Sequence, residues 1–276
     1  MNNYPPFSVA MSVYMKDDPA YFDLALQSIT IDQTVQPTEV VLVCDGPLNE
    51  GLNSVIEKYL KLIENFKVIR LSSNQGLGNA LRVAIENTTF ELVARMDSDD
   101  ISVSNRFDQQ LSYFKNHPKV DIVGGDIAEF INDLSNIVGT RVVPKSDKEI
   151  KNYMKKRSAF NHVSVMYKKH AVMSAGGYLD WFWNEDYYLW IRMLLNNACF
   201  ANTGTVLVNV RVGEDMYRRR GGSKYFKSEV GLQIIMLKEG IINLPTFVLN
   251  IAKRFIVQIL LPNSIRGFVF KTFARE

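Results

Sequence analysis

Short apolar runs alternate with amphipathic stretches through the first hundred residues. The runs at 7–13, 39–44, 67–71 and 91–96 consist largely of apolar residues, as is typical of strands that are covered on both faces. The stretches between them carry apolar residues three and four positions apart, which predicts helices. Strands that alternate with helices pair in parallel through right-handed crossovers. The pattern therefore predicts an α/β fold with an open, mostly parallel twisted sheet flanked by helices.

The second half of the chain has a more varied pattern. We predict antiparallel strands around a turn between residues 126 and 143, a strand at 163–167 and an amphipathic helix at 185–195. From residue 241 to residue 261, polar side chains recur near helical spacing and leave a broad apolar face. This last stretch predicts amphipathic helical structure near the C-terminus.

Composition limits the classes of function. A net charge of +3 on 276 residues is too mild to indicate nucleic-acid binding. Cys44 and Cys199 lie in apolar runs, and residues 1–6 lack a secretory pattern, so we expect reduced thiols and a cytoplasmic protein. Lys253 and Arg254 interrupt the longest apolar stretch, so no membrane span is expected.

Two acidic turns follow predicted parallel strands. Asp45 comes directly after the second strand, and Asp97 to Asp100 come after the fourth. Open α/β sheets bind ligands at the carboxyl ends of their strands, and clustered carboxylates are tolerated where a hard cation lies between them. We therefore expect a site for Mg²⁺ or Mn²⁺ with a nucleotide diphosphate. The alternative is that these aspartates cap the following helix.

A second carboxylate pair, Glu185 and Asp186, opens the predicted helix at 185–195. Acidic residues in a first helical turn are favoured by the helix dipole alone, which is the alternative explanation. A carboxylate held at a rigid helix start is also suited to take the proton of an attacking hydroxyl group. Neighbouring aromatic residues, among them Trp181 and Trp183, offer flat faces to sugar rings or form part of the core.

Basic side chains complete the candidate chemistry. The loop that contains Arg218, Arg219 and Arg220 is followed by two glycines, and such a loop is able to close over a diphosphate and neutralise it. A solvated basic turn is the alternative. His162 is one of three histidines and is either a ligand of metal or phosphate or a structural side chain.

Several motifs, taken in order, resemble those of glycosyltransferase family 2 over residues 8–217. Each motif is weak alone, but their shared order is specific. They are Ser12 to Tyr14, Gln27 to Ile29 with Gln33, Thr34 and Pro37, Val41 to Gly46, Asn74 to Gly78, Ala94 to Asp100, Arg106 with Gln110, His162 to Met166, Gly176 to Tyr178, and Glu185 to Tyr187 with Leu189 and Trp190. The resemblance implies a GT-A fold.

The resemblance also implies roles at the matching positions. Nucleotide binding is expected from Ser12, Tyr14, Asp45, Asn74, Arg95 and Asp97. Metal binding is expected from Asp97 and Asp99, with His162 as a further candidate. Asp186 is expected to be the general base of an inverting displacement, and Glu185 to orient the substrate or the base.

We therefore expect an inverting glycosyltransferase that uses Mn²⁺ or Mg²⁺ and moves one hexose or N-acetylhexosamine, such as galactose or glucose, from a UDP donor. The expected acceptor is a polyprenyl-diphosphate-linked saccharide of bacterial O-antigen or capsule synthesis. Residues 1–220 would form the catalytic domain, with a nucleotide-binding half at 1–100 and an acceptor-binding half at 101–220. Residues 221–276 would form a helical extension that contacts the cytoplasmic membrane surface, the catalytic domain or a partner subunit. A homodimer is compatible with the sequence.

Two other functions are compatible with the same motifs. A nucleotidyltransferase also joins an α/β nucleotide fold to a metal-binding aspartate turn, but it needs no base at Asp186. A non-catalytic module that binds sugar nucleotides would hold the same ligand without turnover. Release of UDP from a UDP-sugar distinguishes glycosyl transfer from both.

Overall fold

The computed structural model describes residues 4–213 and 222–261. The strands of the described residues are β1 (Phe7–Val13), β2 (Glu39–Cys44), β3 (Phe66–Arg70), β4 (Leu92–Met96), β5 (Ile101–Ser102), β6 (Ile122–Phe130), β7 (Ile137–Arg141), β8 (Met166–Lys168) and β9 (Phe200–Arg211). The helices are α1 (Pro19–Ile29), α2 (Glu50–Leu62), α3 (Leu77–Glu86), α4 (Arg106–Asn116), α5 (Asp147–Met154), α6 (Lys169–Ser174), α7 (Glu185–Leu195), α8 (Ser223–Lys238) and α9 (Leu244–Phe255). A π-helical turn, Ile256–Leu260, follows α9.

The strands form one sheet in the order β3-β2-β1-β4-β8-β6-β9-β5, and β7 pairs with β6 beside this path. The strands from β3 to β4 are all parallel. Beyond β4 the pairs are antiparallel except for β6 with β9. The predicted α/β fold with flanking helices is confirmed, and both acidic turns belong to its parallel half. One sheet runs through both predicted halves of the catalytic domain. The division into domains stays a prediction.

Both faces of the parallel half are buried. On β1, Val9 and Met11 belong to one apolar cluster and Ala10 to the other, and on β2 Leu42 and Val41 divide in the same way. The first cluster includes side chains of α1, α2 and α4, and the second includes side chains of α3, α5 and α7. Burial on two sides explains why these strands are continuous apolar runs without polar alternation.

The strand predicted at 163–167 is wrong in its first part. His162–Ser164 forms a 3₁₀ turn, and β8 begins only at Met166. The hydroxyl of Ser164 donates to the carbonyl of Asn161 at 2.8 Å and accepts from the backbone nitrogen of Gly125 at 3.1 Å. Such side-chain bonds to the backbone compete with strand pairing. The antiparallel strands predicted between 126 and 143 are confirmed as β6 and β7.

A buried arginine connects α4 to the sheet. Arg106 is fully buried, and its guanidinium donates to the carbonyls of Arg95 at 2.7 Å and Val165 at 3.2 Å and to the Gln110 side chain at 3.1 Å. Burial lowers the pKa of Arg106 to about 9, and the nearby charge of Arg95 acts in the same direction. These bonds fix the end of β4, where one acidic turn begins.

The C-terminal helix α9 is amphipathic as predicted, but its polar stripe faces the protein. Asn250 is only 6% exposed, and its side-chain nitrogen donates to the Lys155 carbonyl at 2.9 Å and to Gln233 Oε1 at 2.8 Å. Arg254 forms an ion pair with Glu229 on α8. The polar residues therefore fasten α9 to the rest of the molecule.

The opposite face of α9 and of the π-helical turn is apolar and exposed to solvent. Its large exposed side chains are Leu244, Val248, Leu249, Phe255, Ile256, Ile259 and Leu260. Exposed apolar patches of this extent are typical of surfaces that contact another protein or a membrane. Within the described ranges, no helix combines the length and apolar character that crossing a bilayer requires.

The turn after β2 depends on a residue without a side chain. Gly46 has a φ of 92°, a left-handed conformation that strains other residues. A Cβ atom at this position would lie 2.7 Å from the backbone nitrogen of Asn74. This close approach sets the position of Asp45 relative to Asn74.

Gly46→Ala is expected to lower the free energy of unfolding by about 2 kcal/mol, because the added methyl group strains the backbone and displaces Asn74. Chemical denaturation measures this loss. Gly213→Ala is the matched control, since a Cβ atom there meets nothing within 4 Å. Equal stability of Gly46→Ala and wild type would show that the turn relaxes without cost.

Candidate functional site

A cleft of about 810 Å³ opens at the carboxyl ends of β1, β2 and β4. This is the edge at which open α/β sheets bind ligands. Of the predicted site residues, it is lined by Ser12, Tyr14, Asp45, Asn74, Asp97, Asp99 and Glu185. Residues from distant parts of the chain therefore come together along one cavity.

Asp45 shapes one wall of the cleft. Its two carboxylate oxygens accept hydrogen bonds from the backbone nitrogens of Gln75 at 2.6 Å and Gly76 at 3.0 Å. The side-chain nitrogen of Asn74 donates to the Asp45 carbonyl at 3.3 Å. The carboxylate thus stabilises the turn that precedes α3. The same two hydrogen bonds fix the orientation of the carboxylate.

Asp97 is held from beneath by a buried cation. The guanidinium of Arg95, which is 1% exposed, donates to both carboxylate oxygens of Asp97. Arg95 does not itself line the cleft. Such two-point pairing fixes the orientation of a carboxylate and compensates its charge.

Asp99 faces the cleft in a strongly negative setting. Limited solvation within the cleft, together with the charges of Asp97 and Asp17, raises the pKa of Asp99 to about 6. Asp100 is 3% exposed, and its carboxylate accepts from the backbone nitrogen of Arg211 at 2.8 Å. Burial raises the pKa of Asp100 well above its usual range. Asp100 therefore anchors the turn to β9, and Asp97 and Asp99 remain at the cleft.

Asp17 is a cleft residue that the sequence analysis missed. Its carboxylate accepts hydrogen bonds from the Ser98 hydroxyl at 2.8 Å and from the Tyr14 backbone nitrogen at 3.0 Å. Burial raises the pKa of Asp17, and the charge of Asp97 adds to that effect. The only available signal was its position four residues beyond the end of β1.

The carboxylates at this edge fit a hard divalent cation. Mg²⁺ and Mn²⁺ prefer oxygen ligands and commonly take few protein carboxylates together with phosphate oxygens. In the described part of the chain, no three His, Cys, Asp or Glu side chains are arranged to enclose a metal ion by themselves. A metal at this edge would therefore take few protein ligands, with Asp97 and Asp99 as the candidates, and a bound diphosphate would complete its coordination.

The carboxylate pair at the start of α7 divides between two cavities. Glu185 lines the cleft, whereas Asp186 lines a second cavity of about 400 Å³ next to it. Trp183 and Tyr225 line both cavities. Burial in the cleft, followed by the charge of Asp186, raises the pKa of Glu185 to about 7. Successive helical residues point about 100° apart, which explains how adjacent carboxylates serve different cavities.

The remaining predicted site residues lie away from the cleft or outside the described residues. His162 does not line it; its Nε2 lies 2.6 Å from the hydroxyl of Tyr178. Burial lowers the pKa of His162 well below its usual value. Arg218, Arg219 and Arg220 lie outside the described ranges.

The aromatic residues before α7 have different surroundings. Trp181 donates from Nε1 to the Ser228 carbonyl at 3.1 Å and is thereby tied to α8. Trp183 is 50% exposed, stacks on Phe182 and has a positive φ of 54°. The exposed face of Trp183 at the boundary of both cavities is suited to contact a sugar ring. Tyr225, on α8, also lines both cavities and was missed because the sequence placed it in the C-terminal extension.

Comparison with known proteins gives concordant matches. The model for glycosyl transferase family 2 matches residues 8–178. UDP-Gal:alpha-D-GlcNAc-diphosphoundecaprenol beta-1,3-galactosyltransferase of Escherichia coli is 38% identical over 272 residues, 99% of this chain and 98% of that protein. The amylovoran biosynthesis glycosyltransferase AmsE of Erwinia amylovora is 38% identical over 231 residues, 84% of this chain and 85% of that protein.

A solved structure shares the fold. The crystal structure of S. aureus TarS 1-349 is similar with a TM-score of 0.67 and 18% identity, covering 97% of this chain and 75% of that one. TarS and this chain thus share the GT-A fold, which agrees with the fold expected from the motifs.

Glu185→Gln is expected to change how stability depends on pH. The pKa of Glu185 rises from its ordinary value of 4.5 to about 7, so the folded protein binds this proton more tightly than the unfolded chain. Wild type therefore loses stability as pH rises through that window. The variant lacks this loss, so the difference between its melting temperature and that of wild type should rise in favour of the variant between about pH 5 and about pH 7.5.

Thermal denaturation at several pH values measures the difference. Glu57→Gln, at an exposed position of α2, is the matched control and should follow the wild-type curve. A Glu185→Gln curve parallel to wild type would show that Glu185 ionises as freely as a surface carboxylate.

Proposed function

This chain belongs to glycosyltransferase family 2, and we propose that it is an inverting, metal-dependent enzyme. It would move one hexose or N-acetylhexosamine, galactose in the first instance, from a UDP-sugar to a lipid-linked saccharide. The observation that carries the proposal is the convergence of Asp45, Asp97, Asp99 and Glu185 on one cleft. The relative from Escherichia coli is named for a UDP-galactose donor and a diphosphoundecaprenol-linked acceptor, which supports both substrate classes.

The donor nucleotide would occupy the cleft between β1, β2 and β4. Ser12, Tyr14 and Asn74 line this region and offer hydroxyl and amide groups to a base and a ribose. Asp45 would accept from the edge of the uracil, since its carboxylate is already oriented by the turn before α3. Arg95 would act through Asp97, whose carboxylate it holds.

Asp97 and Asp99, supported by Asp17, would hold the metal together with the donor diphosphate. A bound divalent cation supplies charge stabilisation for the departing UDP, an electrostatic effect that is often among the largest in catalysis. Arg218, Arg219 and Arg220, which lie outside the described residues, are proposed to add their charge to this stabilisation. His162 is a weaker candidate ligand, because its ring nitrogen already contacts Tyr178.

The two carboxylates of α7 would serve the two substrates. Glu185, in the donor cleft, would contact the hydroxyl groups of the donor sugar. Asp186, in the adjoining cavity, would accept the proton of the acceptor hydroxyl group while the oxygen of that hydroxyl group bonds to the anomeric carbon. The bond from that carbon to the diphosphate oxygen breaks on the opposite side, UDP leaves with the electron pair, and the anomeric configuration inverts.

The apolar face of α9 would rest on the cytoplasmic face of the cell membrane. Its polar stripe is used in contacts with the protein, and Leu244 and Leu249 are 62% and 61% exposed. An apolar face of this kind inserts into the boundary between headgroups and acyl chains. A lipid-linked acceptor lies at the same surface, so peripheral binding would bring enzyme and acceptor together in O-antigen or capsule synthesis.

Asp99→Ala is expected to weaken manganese-dependent UDP binding at least about tenfold, because the metal loses a carboxylate ligand. Isothermal titration calorimetry of UDP with and without Mn²⁺ measures the effect. Glu64→Ala, an exposed position after α2, is the control and should bind as wild type does. Unchanged affinity in Asp99→Ala would contradict the metal assignment.

Asp186→Asn is expected to reduce glycosyl transfer at least about 100-fold while donor affinity stays near the wild-type value, as removal of a general base predicts. Transfer is followed as release of UDP from a panel of UDP- and GDP-sugars with Mn²⁺. Full activity of Asp186→Asn would move the base elsewhere, with Glu185→Gln as the next variant. Release of sugar 1-phosphate in place of UDP would favour nucleotidyl transfer, in which the uridylyl group moves to another acceptor. Binding without any release would favour a non-catalytic module.

A further inference from the structure

The cavity that Asp186 lines is strongly basic. It lies between the segment after α5 and the end of α9, and its cationic lining residues are Arg141, Lys156, Arg157, Lys253 and Arg254. The acidic residues in its lining are Asp186 and Glu229. We propose that this cavity binds the diphosphate group of the acceptor, the group that joins its saccharide to its lipid. The identity of the acceptor rests on the proposed function, whereas the preference for a diphosphate anion rests on the cavity.

Several of these cations have no acidic partner among the residues that the structure describes. Arg254 is paired with Glu229. In contrast, no carboxylate of residues 4–213 or 222–261 forms a salt bridge with Lys156, Arg157 or Lys253. Like charges gathered in a concave site repel one another, and an anion with two charges and several acceptor oxygens relieves that repulsion.

Hydrogen bonds from α9 and from β7 hold the segment after α5 in place. Arg254 donates from Nη2 to the Lys156 carbonyl at 2.7 Å, and Arg141 donates from Nη2 to the Ser158 carbonyl at 2.9 Å. These bonds fix the backbone that carries Lys156 and Arg157 against α9. The backbone that carries these cations is therefore fixed before any ligand arrives, which lowers the entropic cost of binding.

The position of the cavity fits an acceptor more closely than a donor. Trp183 and Tyr225 form a boundary that it shares with the donor cleft, and the carboxylates of that cleft repel a second anion. An acceptor sugar at this boundary would direct its hydroxyl group toward the donor. Its diphosphate would then lie on the basic side, where Asp186 lines the same cavity as Lys156 and Arg157.

The lipid has a path out of the cavity. Lys253 and Arg254 line the basic side of the last turn of α9, and Phe255 and Ile256, the next two residues, are 44% and 49% exposed. Phe255 directly follows Arg254, and Ile256 lies three positions after Lys253, so each apolar side chain is about 60° to about 100° around the helix from one of these cations. A diphosphate held by the basic side would thus place its hydrocarbon chain along the exposed apolar face.

The test uses the full chain and two soluble acceptors that differ in one group, decyl N-acetylglucosaminyl diphosphate and decyl N-acetylglucosaminide. For the double variant Lys156→Ala with Arg157→Ala, KM for the diphosphate acceptor should rise at least about tenfold, a loss of about 1.4 kcal/mol. KM for the neutral acceptor and for the UDP-sugar should stay within about twofold, because neither substrate places a diphosphate in this cavity. Lys155→Ala, an exposed neighbour outside the cavity, is the matched control and should behave as wild type.

A second measurement does not depend on turnover. Inorganic pyrophosphate, titrated with EDTA present to exclude metal-mediated binding at the donor site, should bind wild type and Lys155→Ala alike and bind the double variant at least about tenfold more weakly. Melting temperatures establish that each variant is folded.

The outcomes separate the cavity from the proposed function. Equal loss on both acceptors, or no loss of pyrophosphate affinity in the double variant, would overturn the diphosphate site even where wild type transfers sugar. If the double variant bound anionic vesicles less well but kept its KM for the soluble diphosphate acceptor, the cations would serve the lipid surface and the proposal would be wrong. Absence of transfer to any acceptor, with pyrophosphate binding lost as expected, would refute the acceptor role and retain the anion site.

Discussion

The ion pair between Arg95 and Asp97 is the interaction on which the site depends. A parallel sheet places the carboxyl ends of its strands at one edge, and this chain fills that edge with aspartates that repel one another. A guanidinium that is 1% exposed lies directly below them and fixes one carboxylate with both of its terminal nitrogens. Without a buried cation at this point, the acidic turn would relax toward solvent and its carboxylates would separate.

The second half of the sheet supports this pair. The backbone nitrogen of Arg95 donates to the carbonyl of Val165 at 2.9 Å. The residue that follows the 3₁₀ turn is therefore bonded directly to β4. Arg106 binds the carbonyls of both residues. A strand prediction at 163–167 overlooked this arrangement, because the bond between Ser164 and Gly125 connects segments that are 39 residues apart.

Local sequence patterns were sufficient for the parallel strands and for the acidic turns, since each depends on residues close together in the chain. They were not sufficient where the direction of a side chain depends on contacts with distant parts of the chain. Adjacent residues Glu185 and Asp186 enter different cavities because α7 starts at the boundary between them. The polar stripe of α9 points inward because Asn250 meets the Lys155 carbonyl, a partner that periodicity alone does not identify. The assignments of His162 and of Arg218 to Arg220 stay predictions.

Placing a negatively charged chamber beside a positively charged one has a consequence for the orientation of the proposed acceptor. The cleft with Asp99 would repel the diphosphate of the proposed acceptor, and the cavity with Lys156 would attract it. The acceptor would therefore have one favourable orientation, with its non-reducing end toward the donor. In such a geometry the enzyme would add its sugar at the end of the saccharide that is remote from the lipid.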